Sequence, residues 1–186
     1  MTGFTHSSST FLHPENILAK AGLVAGKHVA DIGCGGGYFS IAAARIVGDA
    51  GHVYSVDILK DALSALRSKA KMFGLANLTT VWSDAERVGG AQKIHDHSID
   101  MTLLVQLLSQ SKAQDNIINE IERIGKPGST VVVVDWRKSN MQFGPPATHR
   151  IEPEAVMTLL EKHHFQFRRE IEAGPYHFGL VFERHA

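Results

Sequence analysis

The stretch Val29-Ala-Asp-Ile-Gly-Cys-Gly-Gly-Gly-Tyr38 joins a short apolar segment to a turn with four glycines, and it decides the predicted fold. The residues before Gly33 favour a β-strand, and the Ala-rich residues from Tyr38 onward favour a helix. Glycine permits the sharp bend between the two and lets a ligand approach the backbone closely. The helix that follows offers free N–H groups and the positive end of its dipole. This unit is typical of α/β domains that bind nucleotide-like ligands.

The same alternation of strand-like and helix-like segments continues along the chain. Five strands are predicted at 28–32, 52–56, 78–82, 99–105 and 130–134, and five helices at 11–23, 38–47, 60–73, 113–124 and 154–163. Two further alternating segments, 165–171 and 176–184, flank Glu172-Ala-Gly-Pro175, which favours a hairpin. We therefore predict an α/β, Rossmann-like sheet of seven strands, mostly parallel, with helices on both faces and a C-terminal antiparallel β-hairpin.

The length and composition are those of one globular domain. The chain has 186 residues, of which 44% are hydrophobic and 20% charged. We predict a flexible N-terminal segment at residues 1–10 and a single domain at residues 11–186. Lys plus Arg equals Asp plus Glu at 19 each, so no global basic field attracts nucleic acid.

The remaining composition bears on location and on metal binding. A single cysteine, Cys34, forms no internal disulfide, which suits a cytoplasmic protein. No apolar run is long enough to predict a transmembrane segment. The eleven histidines are scattered without the spacing of metal ligands, so we predict no metal site.

The spacing of the glycine turn separates the possible ligands. A dinucleotide fingerprint that starts at Gly33 would need its third glycine at Tyr38, and a P-loop would need Lys followed by Ser or Thr. The turn instead reads Asp31-x-Gly33-x-Gly35-x-Gly37. A leading acid would repel a pyrophosphate but would suit a ligand with a cationic amino group. S-adenosylmethionine has such a group and carries no phosphate.

This acid-and-glycine pattern resembles motif I of class I S-adenosylmethionine-dependent methyltransferases. The segments Asp135-Trp-Arg-Lys138 and Phe143-Gly-Pro-Pro-Ala-Thr-His-Arg150 are similar to small methyltransferases related to the ubiquinone/menaquinone-biosynthesis enzymes. The resemblance covers the chain from about His13 to its end. It implies S-adenosylmethionine as cofactor and S-adenosylhomocysteine as product. We expect a small-molecule acceptor, and the oligomeric state, monomer or homodimer, stays open.

Further acids follow the predicted second and third strands. Asp57 lies 26 residues after Asp31, near the spacing expected for an acid that binds ribose hydroxyls. The resemblance implies that Asp84 binds the adenine amino group and that Val105 and Gln106 lie toward the methyl group. The full set of predicted cofactor residues is Asp31, Gly33, Gly35, Gly37, Asp57, Ile58, Asp84, Ala85, Val105 and Gln106.

Catalytic residues are harder to predict, because a general base is needed only when the acceptor must lose a proton. The two candidates are His149, which follows Pro145-Pro146, and Asp135, which ends the fifth strand. Either could instead be structural: His149 as an ordinary loop histidine, and Asp135 as a cap of the next turn. The chain has Leu107-Leu-Ser-Gln110 where many relatives carry polar residues, and it lacks an Asn-Pro-Pro-Tyr motif.

Three functions remain open at this point. The first is methylation of a small molecule. The second is methylation of RNA or protein, and the neutral net charge argues against RNA. The third is a non-catalytic module that binds S-adenosylmethionine, which the intact Asp31, Gly33, Gly35 and Asp57 disfavour.

Overall fold

A computed structural model describes residues 12–87, 89–138 and 144–185. Seven strands form one sheet: β1 (His28–Ile32), β2 (His52–Asp57), β3 (Leu78–Trp82), β4 (Ile99–Val105), β5 (Gly125–Trp136), β6 (Phe165–Glu172) and β7 (His177–Arg184). Five α-helices accompany them: α1 (Pro14–Ala21), α2 (Tyr38–Val47), α3 (Lys60–Met72), α4 (Gln114–Ile124) and α5 (Pro153–Lys162). The predicted flexible segment at residues 1–10 lies outside the described residues, as do residues 139–143.

The strand order is β3-β2-β1-β4-β5-β7-β6. Strands β1 to β5 pair in parallel, and β7 runs antiparallel to both β5 and β6. The predicted fold is therefore confirmed, including its C-terminal hairpin. Strand β5 begins five residues before the predicted start, because Gly125 already pairs with Ile99 and the register then shifts before Met101 pairs with Thr130.

Two apolar cores cover the two faces of the sheet. Helices α4 and α5 bury residues such as Ile117 and Leu160 against one face. Helices α1 and α2 bury Leu18 and Ala43 against the other. The central strands are apolar on both sides because both of their faces are covered, which is the pattern expected of a parallel sheet.

The order of the strands fixes where a ligand can bind. From β1 the chain proceeds outward to β2 and β3, and then returns to the other side of β1 to form β4 and β5. The direction thus reverses between β1 and β4, and open α/β sheets bind ligands at the carboxyl ends of the strands at such a point. Within the described residues, no helix has the length and apolar character needed to cross a membrane.

Candidate functional site

A cleft of about 620 Å³ opens at the carboxyl ends of β1, β2 and β4, where the strand order reverses. Its walls come from the glycine turn, the loops after β2 and β3, the end of β4, and one side of α4. Nine of the ten predicted cofactor residues line it, and Gly37 does not: the nine are Asp31, Gly33, Gly35, Asp57, Ile58, Asp84, Ala85, Val105 and Gln106.

The glycine turn is built from residues in left-handed conformations. Gly33, Gly35 and Gly37 have φ angles of 72°, 50° and 77°. A Cβ on Gly37 would lie 2.1 Å from Cδ1 of Leu66 on α3, whereas a Cβ on Gly35 would meet no atom within 4 Å. Gly37 therefore lets α2 start close to α3, and Gly35 leaves open space beside the backbone where a ligand can approach.

Asp31 is a buried carboxyl at the end of β1, with 2% of its surface exposed. Its Oδ2 accepts a hydrogen bond of 2.5 Å from Ser40 Oγ, which in turn accepts one of 2.8 Å from Ser55 Oγ. Burial is the main cause that raises the pKa of Asp31 to about 6, and the carboxylate of Asp57 raises it further. The hydrogen bond from Ser40 partly offsets this rise. The site thus favours a cation beside Asp31.

Asp57, the last residue of β2, is held by two backbone N–H groups. Its Oδ2 accepts from the N–H of Gly35 at 2.7 Å, and its Oδ1 accepts from that of Leu59 at 2.8 Å. Each oxygen keeps further capacity to accept, so the carboxylate is fixed in place and can still bind two hydroxyl groups. The following residue, Ile58, is 57% exposed and supplies an apolar wall.

Asp84 and Ala85 stand in the loop after β3. Oδ1 of Asp84 accepts from the N–H of Glu86 at 3.0 Å, and Oδ2 lies 3.4 Å from Nε of Arg87. The Asp84 side chain is 33% exposed and borders the cleft on the side of β2 and β3. From this position the Asp84 carboxylate could accept a hydrogen bond from the part of a ligand that lies past Asp57 in the cleft.

Gln106 stands at the opposite end of the cleft, directly after β4. Its side-chain nitrogen lies 2.8 Å from Nε2 of His177 on β7. His177 is fully buried, and its Nδ1 has no partner among the described residues. Burial, together with Arg137 and Arg150, lowers the pKa of His177 to about 4, so the ring that contacts Gln106 is neutral.

The two catalytic candidates do not line the cleft. Asp135 is fully buried, and its carboxylate accepts from Ser109 Oγ at 2.8 Å and from the N–H groups of Ser109 and Trp136. Burial raises its pKa. Asp135 thereby ties the segment after β4 to the end of β5. His149 is an exposed residue in a short 3-10 helix, Ala147–His149.

Some residues of the site were not predicted from the sequence. Ser40 is one; a polar residue within the Ala-rich α2 segment was the available signal. Tyr38 and Leu12 are others, joined by a hydrogen bond of 3.1 Å from the Tyr38 hydroxyl to the Leu12 carbonyl. The remaining wall residues include Leu107, Gln110 and Ile117. Among the described residues, no group of three or more His, Cys, Asp or Glu side chains is arranged to hold a metal ion.

The fold and the cleft define an open α/β protein with a cleft at its topological switch point. A family model described as a methyltransferase domain matches residues 23–169. The crystal structure of a "SAM dependent methyltransferase" from Aquifex aeolicus superposes with a TM-score of 0.87 and 25% identity, over 96% of this chain and 93% of that one.

Two curated relatives are similar over shorter stretches. A "Probable cobalt-precorrin-6B C(15)-methyltransferase (decarboxylating)" from Methanosarcina mazei is 34% identical over 56% of this chain and 60% of its own length. A "Demethylmenaquinone methyltransferase" from Geobacillus kaustophilus is 26% identical over 70% of this chain and 53% of its own. The chain thus spans between half and two thirds of the length of these relatives.

The chain belongs to the methyltransferase-domain family. The predicted resemblance to S-adenosylmethionine-dependent methyltransferases is confirmed: the family model describes a methyltransferase domain, both curated relatives are named as methyltransferases, and the Aquifex aeolicus structure is described as SAM dependent. The roles of the individual site residues remain predictions.

Proposed function

We propose that this protein transfers a methyl group from S-adenosylmethionine to a small-molecule acceptor. One arrangement carries the proposal: Asp31 and Asp57 flank the open backbone of Gly35 in a single cleft. The N–H of Gly35 orients Asp57 at 2.7 Å, and a Cβ at Gly35 would point into free space. Two carboxylates in a cleft without a phosphate-binding motif suit a ligand that joins a cationic amino group to a nucleoside and carries no phosphate.

The residues fit the two ends of such a ligand. Asp31 is buried and hydrogen-bonded to Ser40, and no salt bridge joins it to a described cation. A ligand ammonium group would supply the missing positive charge and favour the ionised carboxylate. Asp57 would bind the ribose hydroxyls, and Asp84 and Ala85 would border the adenine.

The chain itself has to align and enclose the reactants. Bound S-adenosylmethionine supplies a methyl group that its sulfonium already activates. Gln106 and Leu107 would border the place where donor and acceptor meet, and Tyr38 and Leu12 would cover it from the other side. Alignment of two reactants can supply roughly 7–11 kcal/mol of the barrier, so the site needs no dedicated nucleophile.

The composition supports a small acceptor over nucleic acid. Lys plus Arg equals Asp plus Glu, so the chain offers no overall electrostatic attraction to RNA. The cleft wall around Gln106 mixes amide groups with the apolar Leu107 and Ile117, which suits a compact organic molecule. The lone thiol of Cys34 supports a reducing, cytoplasmic location.

Calorimetry with S-adenosylhomocysteine tests the donor site without an acceptor. Wild-type protein should bind it, and Asp57→Asn should weaken binding by about tenfold or more, since a charge-assisted hydrogen bond contributes about 1.5–3 kcal/mol. Asp49→Asn, an exposed acid on the turn after α2, is the matched control.

Transfer of a labelled methyl group to a library of small acceptors, and separately to RNA and to protein, then tests the reaction. Label in a small molecule supports the proposal. Binding without any transfer would favour a non-catalytic module, and label in RNA or protein alone would overturn the acceptor class.

A further inference from the structure

A buried carboxylate on α4 accepts hydrogen bonds from the backbone of the loop that carries Asp84. Glu120 is 2% exposed and does not line the cleft. Its Oε2 accepts a hydrogen bond from the N–H of Gly89 at 3.1 Å, and its Oε1 accepts one from that of Ala91 at 2.9 Å. One side chain thus holds two backbone positions of the loop between β3 and β4.

Arg123, one turn further along α4, completes this attachment. It donates to Glu120 through Nε at 3.1 Å and through Nη2 at 2.6 Å. It also donates to the carbonyls of Ile94 at 3.1 Å and Ala91 at 3.2 Å, and pairs with Asp96. Burial opposes ionisation of Glu120, but the hydrogen bonds from Arg123 and Ala91 outweigh it and lower its pKa, so the pair is ionic.

The loop segment that Glu120 holds packs directly against the backbone of Asp84. Gly90 lies between the two residues that Glu120 holds, and a Cβ on Gly90 would lie 2.1 Å from the carbonyl oxygen of Asp84. The hydroxyl of Ser83 also donates to the carbonyl of Gly90. The backbone of Asp84 therefore rests directly on the segment fixed by Glu120.

A second contact from α4 holds the loop closer to Asp84, at Glu86. The N–H of Glu86 donates to the Asp84 carboxylate, and Nδ2 of Asn116 donates to the carbonyl of Glu86 at 2.8 Å. Helix α4 thus holds the loop at Glu86, Gly89 and Ala91, three positions that follow Asp84.

We infer that Glu120 is a positioning residue that sets the place of Asp84 and thereby the preference of the cleft for an adenine amino group. The inference rests on the proposed function, since it takes S-adenosylmethionine as the ligand. A loop without regular structure would not by itself hold a carboxylate at a fixed distance from a base. The buried Glu120–Arg123 pair, anchored to the core helix α4, supplies that rigidity.

Nucleobase selectivity separates this role from a merely structural one. S-adenosylhomocysteine and S-inosylhomocysteine differ at the base, where an amino group is replaced by an oxo group. Wild-type protein should prefer the adenine compound, and Asp84→Asn should reduce that preference. Glu120→Gln should reduce the preference in the same way and weaken binding of S-adenosylhomocysteine by about tenfold, the size of a charge-assisted hydrogen bond.

The controls use the same helix and the same loop. Glu122→Gln removes an acid on α4 that pairs with His164 instead, and should leave both affinities unchanged. The double variant Asp84→Asn/Glu120→Gln should be no weaker than the poorer single variant, because both act through one carboxylate. Should Glu120→Gln fail to fold, Asn116→Ala removes an exposed contact to the same loop and should shift the preference in the same direction.

The outcomes are distinct. If wild-type protein bound neither compound, the proposed function would fail and this inference with it. If wild-type protein bound them and Glu120→Gln kept the wild-type ratio of affinities, or if the two substitutions acted additively, the positioning role alone would be refuted.

Discussion

The side chain of Gln106, at the end of β4, lies 2.8 Å from Nε2 of His177 at the start of β7. Gln106 has a φ of 53°, a left-handed conformation that costs a non-glycine residue roughly 1–3 kcal/mol. His177 packs against Trp136 with ring centroids 4.1 Å apart. The side-chain amide of a residue that lines the cleft is thus directed toward a buried histidine of the core, while its backbone stays in a left-handed conformation.

The first prediction concerns the pH dependence of this contact. Because the folded-state pKa of His177 is about 4, below the ordinary value of 6.5, the folded protein binds fewer protons than the unfolded chain in that range. The contribution of His177 to stability is therefore complete above pH 6.5 and is lost as the pH falls toward 4. In urea unfolding, the stability advantage of wild type over His177→Gln should shrink by about 2 kcal/mol between pH 7 and pH 5. A difference that stays constant over this range would contradict the prediction.

The second prediction concerns Asp31, whose contribution to stability changes with pH in the opposite direction. Its folded-state pKa of about 6 lies above the ordinary 3.8, so the folded protein binds the extra proton. The contribution of Asp31 to stability is therefore complete below pH 3.8 and is lost as the pH rises through 6. Relative to Asp31→Asn, the ligand-free wild type should lose about 1 kcal/mol between pH 5 and pH 7.

The Asp31→Asn protein offers a test of function in the same sample. At pH 7 it should be more stable than wild type but should bind S-adenosylhomocysteine much more weakly, because the ligand ammonium group loses its counter-charge. Denaturant unfolding at both pH values, with and without the ligand, measures both effects. A variant that bound as tightly as wild type would show that Asp31 does not contact the cation.

Much of the fold could be predicted because its pattern is local. Strands β1, β3 and β4 and helix α2 have the predicted bounds, since apolar runs and flanking glycines are sequence signals. The acids at the strand ends could be predicted as one site for a related reason: carboxyl ends of parallel strands meet at the same edge.

The features that were not predicted depend on distant pairing. The contact between Gln106 and His177 follows from the register that sets His177 opposite Trp136 across β5 and β7. The attachment of the Asp84 loop to Glu120 joins a segment without periodicity to a helix about thirty residues away. Neither partner carries a local sequence signal, so only the assembled structure shows them.

The third prediction separates the roles of two adjacent glycines. Gly37 has a φ of 77° and its Cβ would overlap Leu66, so Gly37→Ala should lower the free energy of unfolding by about 2–4 kcal/mol. At Gly36 the nearest atom to a Cβ is Nζ of Lys69 at 3.7 Å, an ordinary contact with a flexible side chain. Gly36→Ala should therefore change stability by well under about 1 kcal/mol. Thermal or urea unfolding of the two variants measures this difference. Equal losses of unfolding free energy would refute the assigned role of Gly37.

The fourth prediction is that Cys34 is unreactive in the folded protein. Burial, together with the negative charges of Asp31 and Asp57, raises the pKa of its thiol well above the usual range, and the residue is only 9% exposed. Because the thiolate is the nucleophile, iodoacetamide at pH 8 should alkylate native protein at least about 100-fold more slowly than protein unfolded in urea. Cys34 is the only cysteine in the sequence, so total thiol labelling reports this position alone. Cys34→Ser serves as the blank. Similar rates in the native and unfolded states would mean that the glycine turn opens readily, which would conflict with the rigid backbone that Gly35 and Asp57 need to hold a ligand.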